Sequence, residues 1–195
     1  MDIQSAEFAF TAVDENGFRR SRLPEIALVG RSNVGKSSLI NALCRKSGLA
    51  RVSSTPGKTR EVNFYLLNNS FYLVDLPGYG FASVSQQEKL RWAGMIEGYF
   101  RQSENLKLVL FLLDIRREPS DDDRQTACWI EHNGLAYRLV ATKADKVSKS
   151  QRGSVCQELS DKLQTTFRSQ AICFSTLEKL GREDLLKAIG EAFRN

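Results

Sequence analysis

A glycine-rich segment at residues 30–37, with the sequence GRSNVGKS, has the residue types needed to hold phosphate groups. Its spacing of glycine, four residues, glycine, lysine and serine is typical of a loop whose backbone N–H groups surround phosphates at a helix N-terminus. Gly30 and Gly35 let the backbone approach phosphate oxygens closely, Lys36 brings a positive charge, and Ser37 offers Mg²⁺ a hydroxyl. The alternative is an ordinary glycine-containing turn in the core.

Two further segments have side chains suited to the γ-phosphate and its metal ion. Asp75 opens the sequence DLPG at 75–78, where a carboxylate is expected to orient Mg²⁺ through water and Gly78 to donate its N–H to the γ-phosphate. Thr59 lies in a polar loop at 45–60, where its hydroxyl and carbonyl can complete the metal shell. Thr59 can equally be an ordinary polar loop residue.

The sequence TKAD at 142–145 indicates which base is bound. The Asp145 carboxylate can accept hydrogen bonds from N1–H and the 2-amino group of guanine, whereas adenine offers neither donor. We expect the Lys143 stem to pack along the base and the backbone of Ser175 and Thr176 to hold the guanine O6. The sequence therefore predicts GTP rather than ATP as the ligand.

An alternation of strands and helices must position these segments. The 26–29 and 108–113 runs are continuously apolar, as expected of buried parallel strands, and the turn at 68–70 joins two runs into a hairpin. This pattern predicts an α/β fold, the three-layer G domain of the P-loop NTPases, with helices on both faces of a mostly parallel mixed sheet and ligands at the strand carboxyl ends. Strands are predicted at 8–13, 26–29, 62–67, 71–74, 108–113, 136–141 and 171–174. Helices are predicted at 38–43, 86–101, 121–132 and 182–193, with a further helix that begins after Ser148 or Ser150 and runs to about Phe167.

Helix starts are predicted from polar residues that can bind backbone N–H groups. Ser120 and Asp123 resemble a capping box in which Asp replaces Glu, so a helix should begin at Asp121. The alternative for the acids at 121–123 is a metal-binding triplet. Ser148 or Ser150 is expected to cap the next helix.

Composition is that of one globular domain. The chain has 195 residues, 42% hydrophobic, with a net charge of +5, which hints at a polyanionic partner without establishing one. We divide it into an N-terminal extension at 1–24, with arginines at 19, 20 and 22 that are either solvated or phosphate-binding, and a GTP-binding domain at 25–195. The apolar run at 106–113 is far shorter than the roughly 20 residues needed to cross a bilayer.

Cysteine usage and the N-terminal sequence bear on the cellular location. The four cysteines are far apart and there is one histidine, which argues against zinc and favours buried thiols in a reducing compartment. The N-terminus lacks the features of a signal peptide. We expect a cytoplasmic monomer that binds neither membranes nor DNA.

Several segments together resemble the EngB-type bacterial ribosome-biogenesis GTP-binding proteins, a group within the translation-factor-related GTPases. The similarity lies in 23–27, 30–38, 56–59 with 63–65, 75–82 and 142–145, and it covers nearly the whole chain. It implies that Ser37 and Thr59 ligate Mg²⁺, that 174–176 form the last guanine element, and that the protein is a switch in assembly of the large ribosomal subunit. Thr142 stands where general GTPases have Asn, a usual variant in this group, and Thr176 replaces a Ser.

The catalytic residues are less evident from the sequence. Many GTPases place a water-orienting Gln directly after D-x-x-G, but this chain has Tyr79, so slow intrinsic hydrolysis is expected. Asn33 matches the position at which related GTPases coordinate K⁺, and Lys58 and Arg60 are alternative charge donors. The competing functions are a GTP-binding adaptor without significant hydrolysis and a P-loop small-molecule kinase.

The predicted site residues fall into three groups by role. The catalytic group is Lys36, Thr59 and Asn33, and the metal ligands are Ser37, Thr59 and Asp75. The predicted nucleotide-binding residues are Gly30, Arg31, Ser32, Asn33, Val34, Gly35, Lys36, Ser37, Ser38, Gly57, Lys58, Thr59, Arg60, Asp75, Leu76, Pro77, Gly78, Thr142, Lys143, Ala144, Asp145, Phe174, Ser175 and Thr176.

Overall fold

The computed structural model of the protein describes residues 1–18, 22–51, 61–80, 86–163 and 170–194. Within these ranges, only the backbone is described for residues 15 and 86–92. Several predictions lie outside the described residues, namely those for Arg19, Arg20, Gly57, Lys58, Thr59, Arg60 and the segment 81–82.

The described residues form one seven-stranded sheet in the order β1-β3-β4-β2-β5-β6-β7. Strand β3 is antiparallel to both of its neighbours, and the pairs β2–β4, β2–β5, β5–β6 and β6–β7 are parallel. This mixed, mostly parallel sheet confirms the predicted fold class. The strands are β1 Ala6–Ala12, β2 Glu25–Gly30, β3 Val62–Leu67, β4 Phe71–Asp75, β5 Leu106–Asp114, β6 Tyr137–Thr142 and β7 Ile172–Cys173.

Helices cover both faces of the sheet because its central strands are apolar on both sides. Along β2, Ala27 and Val29 face a core with α2, α3 and α4, whereas Ile26 and Leu28 face a core with α1 and α5. The result is the predicted three-layer arrangement. The helices are α1 Lys36–Leu43, α2 Gln86–Gln102, α3 Asp121–His132, α4 Arg152–Lys162 and α5 Arg182–Ala192. None of the helices described is both long and apolar enough to span a bilayer.

Strand β1, from the predicted N-terminal extension, is the edge strand of this same sheet. It pairs with β3 from Ala6 opposite Leu67 to Ala12 opposite Val62, with an irregularity between Phe8 and Phe10. Asn68 also accepts hydrogen bonds from the backbone N–H groups of residues 4 and 5. The first residues are therefore tied to the β3–β4 turn as well as to the sheet.

The start of α3 matches the capping-box prediction. Ser120 Oγ accepts a hydrogen bond from the Asp123 N–H at 3.3 Å, and the Asp123 carboxylate accepts one from the Ser120 N–H at 2.8 Å. Asp123 is thus part of the helix cap, and the described residues contain no group of three His, Cys, Asp or Glu side chains suited to a metal ion.

The predicted caps of α4 are wrong. Its N-cap residue is Gln151, which makes no side-chain capping hydrogen bond, and a turn at 148–151 precedes the helix. Ser148 Oγ donates to Gln151 Oε1 at 2.6 Å instead of accepting a helix N–H. Ser148 thus lies three residues, and Ser150 one residue, before the observed N-cap position. Short 3-10 helices at Glu15–Gly17 and Ala144–Lys146 were also absent from the prediction.

The expectation of four separate buried cysteines is wrong as well. Cys156 on α4 pairs with Cys173 on β7 in a disulfide, with Cα atoms 6.9 Å apart. Cys44 is a buried free thiol, and Cys128 is free but exposed. The contact between the paired cysteines depends on how α4 packs on β7, which residue spacing alone does not show.

The capping analysis predicts that Ser120→Ala will lower the free energy of unfolding by about 1 kcal/mol, because α3 loses a side-chain partner for its first N–H groups. Urea unfolding followed by circular dichroism measures this change. Ser150→Ala is the matched control, and since Ser150 caps no helix, it should change stability by less than about 0.5 kcal/mol. Equal losses in the two variants would contradict the assignment.

Candidate nucleotide-binding site

The predicted site segments meet at one edge of the sheet. The neighbouring strands β4, β2, β5, β6 and β7 are parallel, so their carboxyl ends lie side by side. Strand β2 leads into the phosphate loop, whereas β4, β5 and β6 end at Asp75, Asp114 and Thr142. Parallel sheets bind ligands at this edge. The fold therefore places three separate carboxyl-end segments around one loop.

The loop between β2 and α1 has a backbone that requires glycine at two positions. A Cβ atom on Gly30 would lie 2.7 Å from the Leu112 carbonyl oxygen of neighbouring β5. Gly35 has a φ of 114°, in the left-handed region, and it is the N-cap residue of α1. Because Gly35 has no side chain to bind them, the first N–H groups of α1 remain available to an anion.

Asp75 and Lys36 form a buried pair beneath this loop. Asp75 is 4% exposed, and its Oδ1 has no hydrogen-bond partner among the described residues, with Lys36 Nζ 4.0 Å away. Burial raises the pKa of the Asp75 carboxyl and lowers that of the Lys36 ammonium, and the attraction between the two charges opposes both shifts. A buried carboxylate oxygen without a partner is costly. This oxygen therefore has the chemistry to accept a ligand or its metal-bound water.

The oxygen donors available at the pair fit Mg²⁺. The Ser37 hydroxyl follows Lys36 at the start of α1, and Asp75 supplies a carboxylate, both of which are hard oxygen ligands. Thr59, the third predicted ligand, lies outside the described residues.

Thr142 and Lys143 hold the phosphate loop by its carbonyl groups. Thr142 is 2% exposed, and its hydroxyl lies 2.7 Å from the Val34 carbonyl oxygen and 3.0 Å from that of Leu113. Lys143 Nζ donates to the Asn33 carbonyl oxygen at 2.9 Å. The predicted base-selecting segment thus holds Asn33 and Val34. It thereby fixes the shape of the predicted phosphate-binding loop.

Asp114 at the end of β5 orients Lys143. Its carboxylate accepts hydrogen bonds from Lys143 Nζ at 2.9 Å and from the Arg116 guanidinium at 2.9 and 2.7 Å. Partial burial alone would raise the pKa of Asp114, but the hydrogen bonds from Arg116 and Lys143 hold it well below its usual range. Asp114 is therefore ionised and keeps the lysine pointed toward the loop.

The predicted base-recognition residue, Asp145, is positioned by the segment after β7. Ser175 Oγ donates to Asp145 Oδ1 at 2.7 Å and accepts from the Glu178 N–H at 3.2 Å. The hydrogen bond from Ser175, together with Lys146, lowers the pKa of Asp145. The Ala144 N–H also donates to the Phe174 carbonyl oxygen at 3.0 Å. The two segments thus form one unit that presents an ionised carboxylate.

The predicted binding residues differ in which atoms they can present. Asn33 and Thr176 have exposed side chains, so both can reach a ligand or solvent. Five others have buried apolar side chains and can contribute only backbone atoms to a ligand, namely Val34, Leu76, Pro77, Ala144 and Phe174. The assignment of these residues as ligand contacts stays a prediction.

Sequence reasoning does not identify two acids that support the site, Asp114 and Asp123. Asp114 comes directly after an apolar strand, at the same edge as the other site segments, and this position is the signal that points to it. Asp123 is recognised only as a helix cap, although Tyr79 Oη also donates to its Oδ1 at 2.7 Å. That second contact joins residues 44 positions apart and has no local sequence pattern.

The chain is similar to known proteins over nearly all of its length. Residues 25–143 match the family described as 50S ribosome-binding GTPase. The probable GTP-binding protein EngB of Thermoanaerobacter pseudethanolicus is 48% identical over 186 residues, covering 95% of this chain and 96% of that protein. The protein of the same name from Alkaliphilus metalliredigens is 48% identical over 193 residues, covering 99% of this chain and 93% of that protein.

A solved structure adds support for the fold. The crystal structure of a probable GTP-binding protein EngB superposes with a TM-score of 0.71 at 22% identity, covering 87% of this chain and 98% of that one. The sequence relatives show the family as well as the fold, because they are 48% identical to this chain over 95% and 99% of its length. The chain therefore belongs to the EngB family of GTP-binding proteins.

Proposed function

We propose that this chain is a GTP-controlled switch with slow, Mg²⁺-dependent GTPase activity that acts in assembly of the large ribosomal subunit. The observation that carries the proposal is the Asp145 carboxylate, held by Ser175 Oγ at 2.7 Å at the same sheet edge as the phosphate loop. An ionised acid fixed there matches the two N–H donors of guanine. ATP would leave that acid unpaired, which also disfavours the kinase alternative.

Different residues of the site are proposed to bind different parts of the triphosphate and its metal ion. Lys36 places a positive charge at the phosphates, and the N-terminus of α1 offers its N–H groups to them. Ser37, Thr59 and Asp75 would hold Mg²⁺, which when bound neutralises charge on the β- and γ-phosphates. Gly78 would donate its N–H to the γ-phosphate, so loss of that group on hydrolysis removes contacts from Gly78 and Thr59 together.

Slow hydrolysis follows from the side chain at position 79. The Tyr79 phenol donates its proton to Asp123, so it is not available to orient an attacking water. The exposed side chain of Asn33 lies at the loop position proposed for K⁺, which would supply positive charge during turnover. The hydrogen bond from Tyr79 to Asp123 also favours a second candidate function. In this alternative, the protein is a GTP-binding adaptor that does not hydrolyse GTP at a significant rate.

The proposed partner is the large ribosomal subunit or its rRNA precursors. Support comes from the matching family, whose description names the 50S subunit. The chain carries a net charge of +5, and the cations Arg116, Arg117 and Lys149 are exposed on loops at the nucleotide-binding edge. A basic edge of this kind suits contact with phosphate backbone. We propose that the protein acts as a cytoplasmic monomer.

Asp145→Asn is expected to lower GTP affinity at least about 100-fold, because an amide donor replaces one of the two acceptors that face guanine. Xanthosine triphosphate should bind the variant better than GTP, since xanthine has a carbonyl where guanine has an amino group. Competition against a fluorescent nucleotide measures both affinities. Asp184→Asn, at an exposed acid on α5, is the control and should leave GTP affinity unchanged. An unaltered GTP preference in Asp145→Asn would contradict guanine recognition by Asp145.

Multiple-turnover phosphate release should be slow in Na⁺ buffer and faster in K⁺ buffer, because K⁺ would supply charge at Asn33. Asn33→Ala should abolish the difference between the two buffers while retaining GDP binding. Equal rates of the unmodified protein in both buffers would contradict the K⁺ mechanism. Absence of turnover even with large ribosomal subunits present would favour the adaptor.

Cosedimentation with large ribosomal subunits should be stronger with a non-hydrolysable GTP analogue than with GDP, because only the analogue retains the γ-phosphate contacts. The logarithm of the association constant should fall linearly with the logarithm of salt concentration if cations contact phosphate backbone. Small ribosomal subunits are the control particle. Equal binding of the two subunits, or of the GDP and analogue forms, would contradict the proposed role.

A further inference from the structure

Tyr79, which follows DLPG, is fastened to the rest of the protein at both its backbone and its side chain. Its carbonyl oxygen accepts a hydrogen bond from the Ser32 N–H of the phosphate loop at 2.9 Å, and residues 31 and 79 form a parallel bridge. Its phenol donates to Asp123 Oδ1 at 2.7 Å, at the first turn of α3. One residue thus connects the phosphate loop to the first turn of α3.

Asp123 is a rigid acceptor for this phenol. It is 2% exposed, and its other oxygen, Oδ2, accepts from the Ser120 N–H at 2.8 Å and from Ser120 Oγ at 2.7 Å. The Arg31 guanidinium lies 3.9 Å from the same Oδ2. Because the helix cap occupies Oδ2, Oδ1 is left to receive the phenol. The cap of α3 therefore fixes where the Tyr79 ring can lie.

The phenol remains a donor over the physiological pH range. Burial, and then the nearby Asp123 charge, raise the pKa of Tyr79 well above its ordinary value. The hydroxyl is therefore protonated throughout this range, and it donates its hydrogen bond to a carboxylate oxygen of Asp123. Bonds of this type are stronger than those between neutral groups.

Gly78 is the residue whose position this arrangement determines. A Cβ atom on Gly78 would lie 2.9 Å from the Ser32 backbone and 3.1 Å from Lys36 Nζ. Gly78 is therefore pressed against the phosphate loop beside the predicted phosphate-binding lysine, one residue before the fastened tyrosine. Any movement of Tyr79 away from Ser32 and Asp123 would carry Gly78 away from Lys36.

We infer that Tyr79 and Asp123 are positioning residues that hold Gly78 against the phosphate loop and so determine selectivity for the triphosphate over the diphosphate. We call the contacts among Ser32, Tyr79 and Asp123 the Tyr79 latch. This inference rests on the proposed function, because it assigns the Gly78 N–H to the γ-phosphate. The Tyr79–Asp123 hydrogen bond of the latch involves neither the predicted guanine-binding segments nor α1. Its removal should therefore weaken binding of the triphosphate much more than binding of GDP.

The test uses Tyr79→Phe in the full-length protein, which removes one hydroxyl and keeps the ring. Its affinity for a non-hydrolysable GTP analogue should fall about tenfold, and its affinity for GDP should stay within about twofold of the unmodified protein. Tyr137→Phe is the matched control, because Tyr137 Oη donates to Glu131 at the other end of α3, at 2.9 Å. That variant should bind both nucleotides like the unmodified protein.

Amide hydrogen exchange of the nucleotide-free protein provides a second readout that does not depend on guanine binding. The Ser32 amide should exchange at least several-fold faster in Tyr79→Phe than in the unmodified protein, and at an unchanged rate in Tyr137→Phe. An equal loss of analogue and GDP affinity, no loss of either, or unchanged Ser32 exchange would overturn the inference. Failure of the unmodified protein to bind guanine nucleotides would instead overturn the proposed function. The exchange rate of the Ser32 amide would still test whether Tyr79 and Asp123 hold the phosphate loop.

Discussion

The site depends on two hydrogen bonds that hold the phosphate loop by its carbonyl oxygens. Thr142 and Lys143 bind the carbonyls of Val34 and Asn33 at 2.7 and 2.9 Å. A peptide group whose carbonyl is held in this way has its N–H on the opposite side, which suits a loop that must direct donors at phosphate. Because Thr142 and Lys143 precede Asp145 in one short segment, the predicted base-binding and phosphate-binding parts are held together as one unit.

Thr142 shows why a departure from the general GTPase pattern is compatible with this arrangement. A hydroxyl donates one proton, and here it is shared between the carbonyls of Val34 and Leu113 at the end of β5. A side-chain amide would bring two protons, so the threonine performs the loop-holding task with fewer donors. Threonine also fits the 2% exposure of this position better than a larger amide, since it leaves no unused polar group buried.

Local chemistry explains which parts of the fold and site could be predicted. The start of α3 at Asp121 was predicted correctly because Ser120 and Asp123 act within four residues of each other. The convergence of Lys36, Asp75, Thr142 and Asp145 at one edge follows from the parallel alternation of strands and helices. The true start of α4 and the pairing of Cys156 with Cys173 depend on tertiary packing. The support that Asp114 gives Lys143 was missed for the same reason, since it joins strands β5 and β6.

The Tyr79 side chain can either bind Asp123 or orient an attacking water, but it cannot do both. A phenol has one proton, and at Tyr79 that proton is used to bind Asp123. A side chain committed to α3 cannot also orient water, so a chain that fastens Gly78 through this position must obtain its catalytic charge elsewhere. The proposed sources of this charge are K⁺ at Asn33, the predicted donors Lys58 and Arg60, or a group brought by a partner. On the proposed mechanism, slow intrinsic hydrolysis is the consequence of using position 79 to hold Gly78, and the proposed partner would control the timing of turnover.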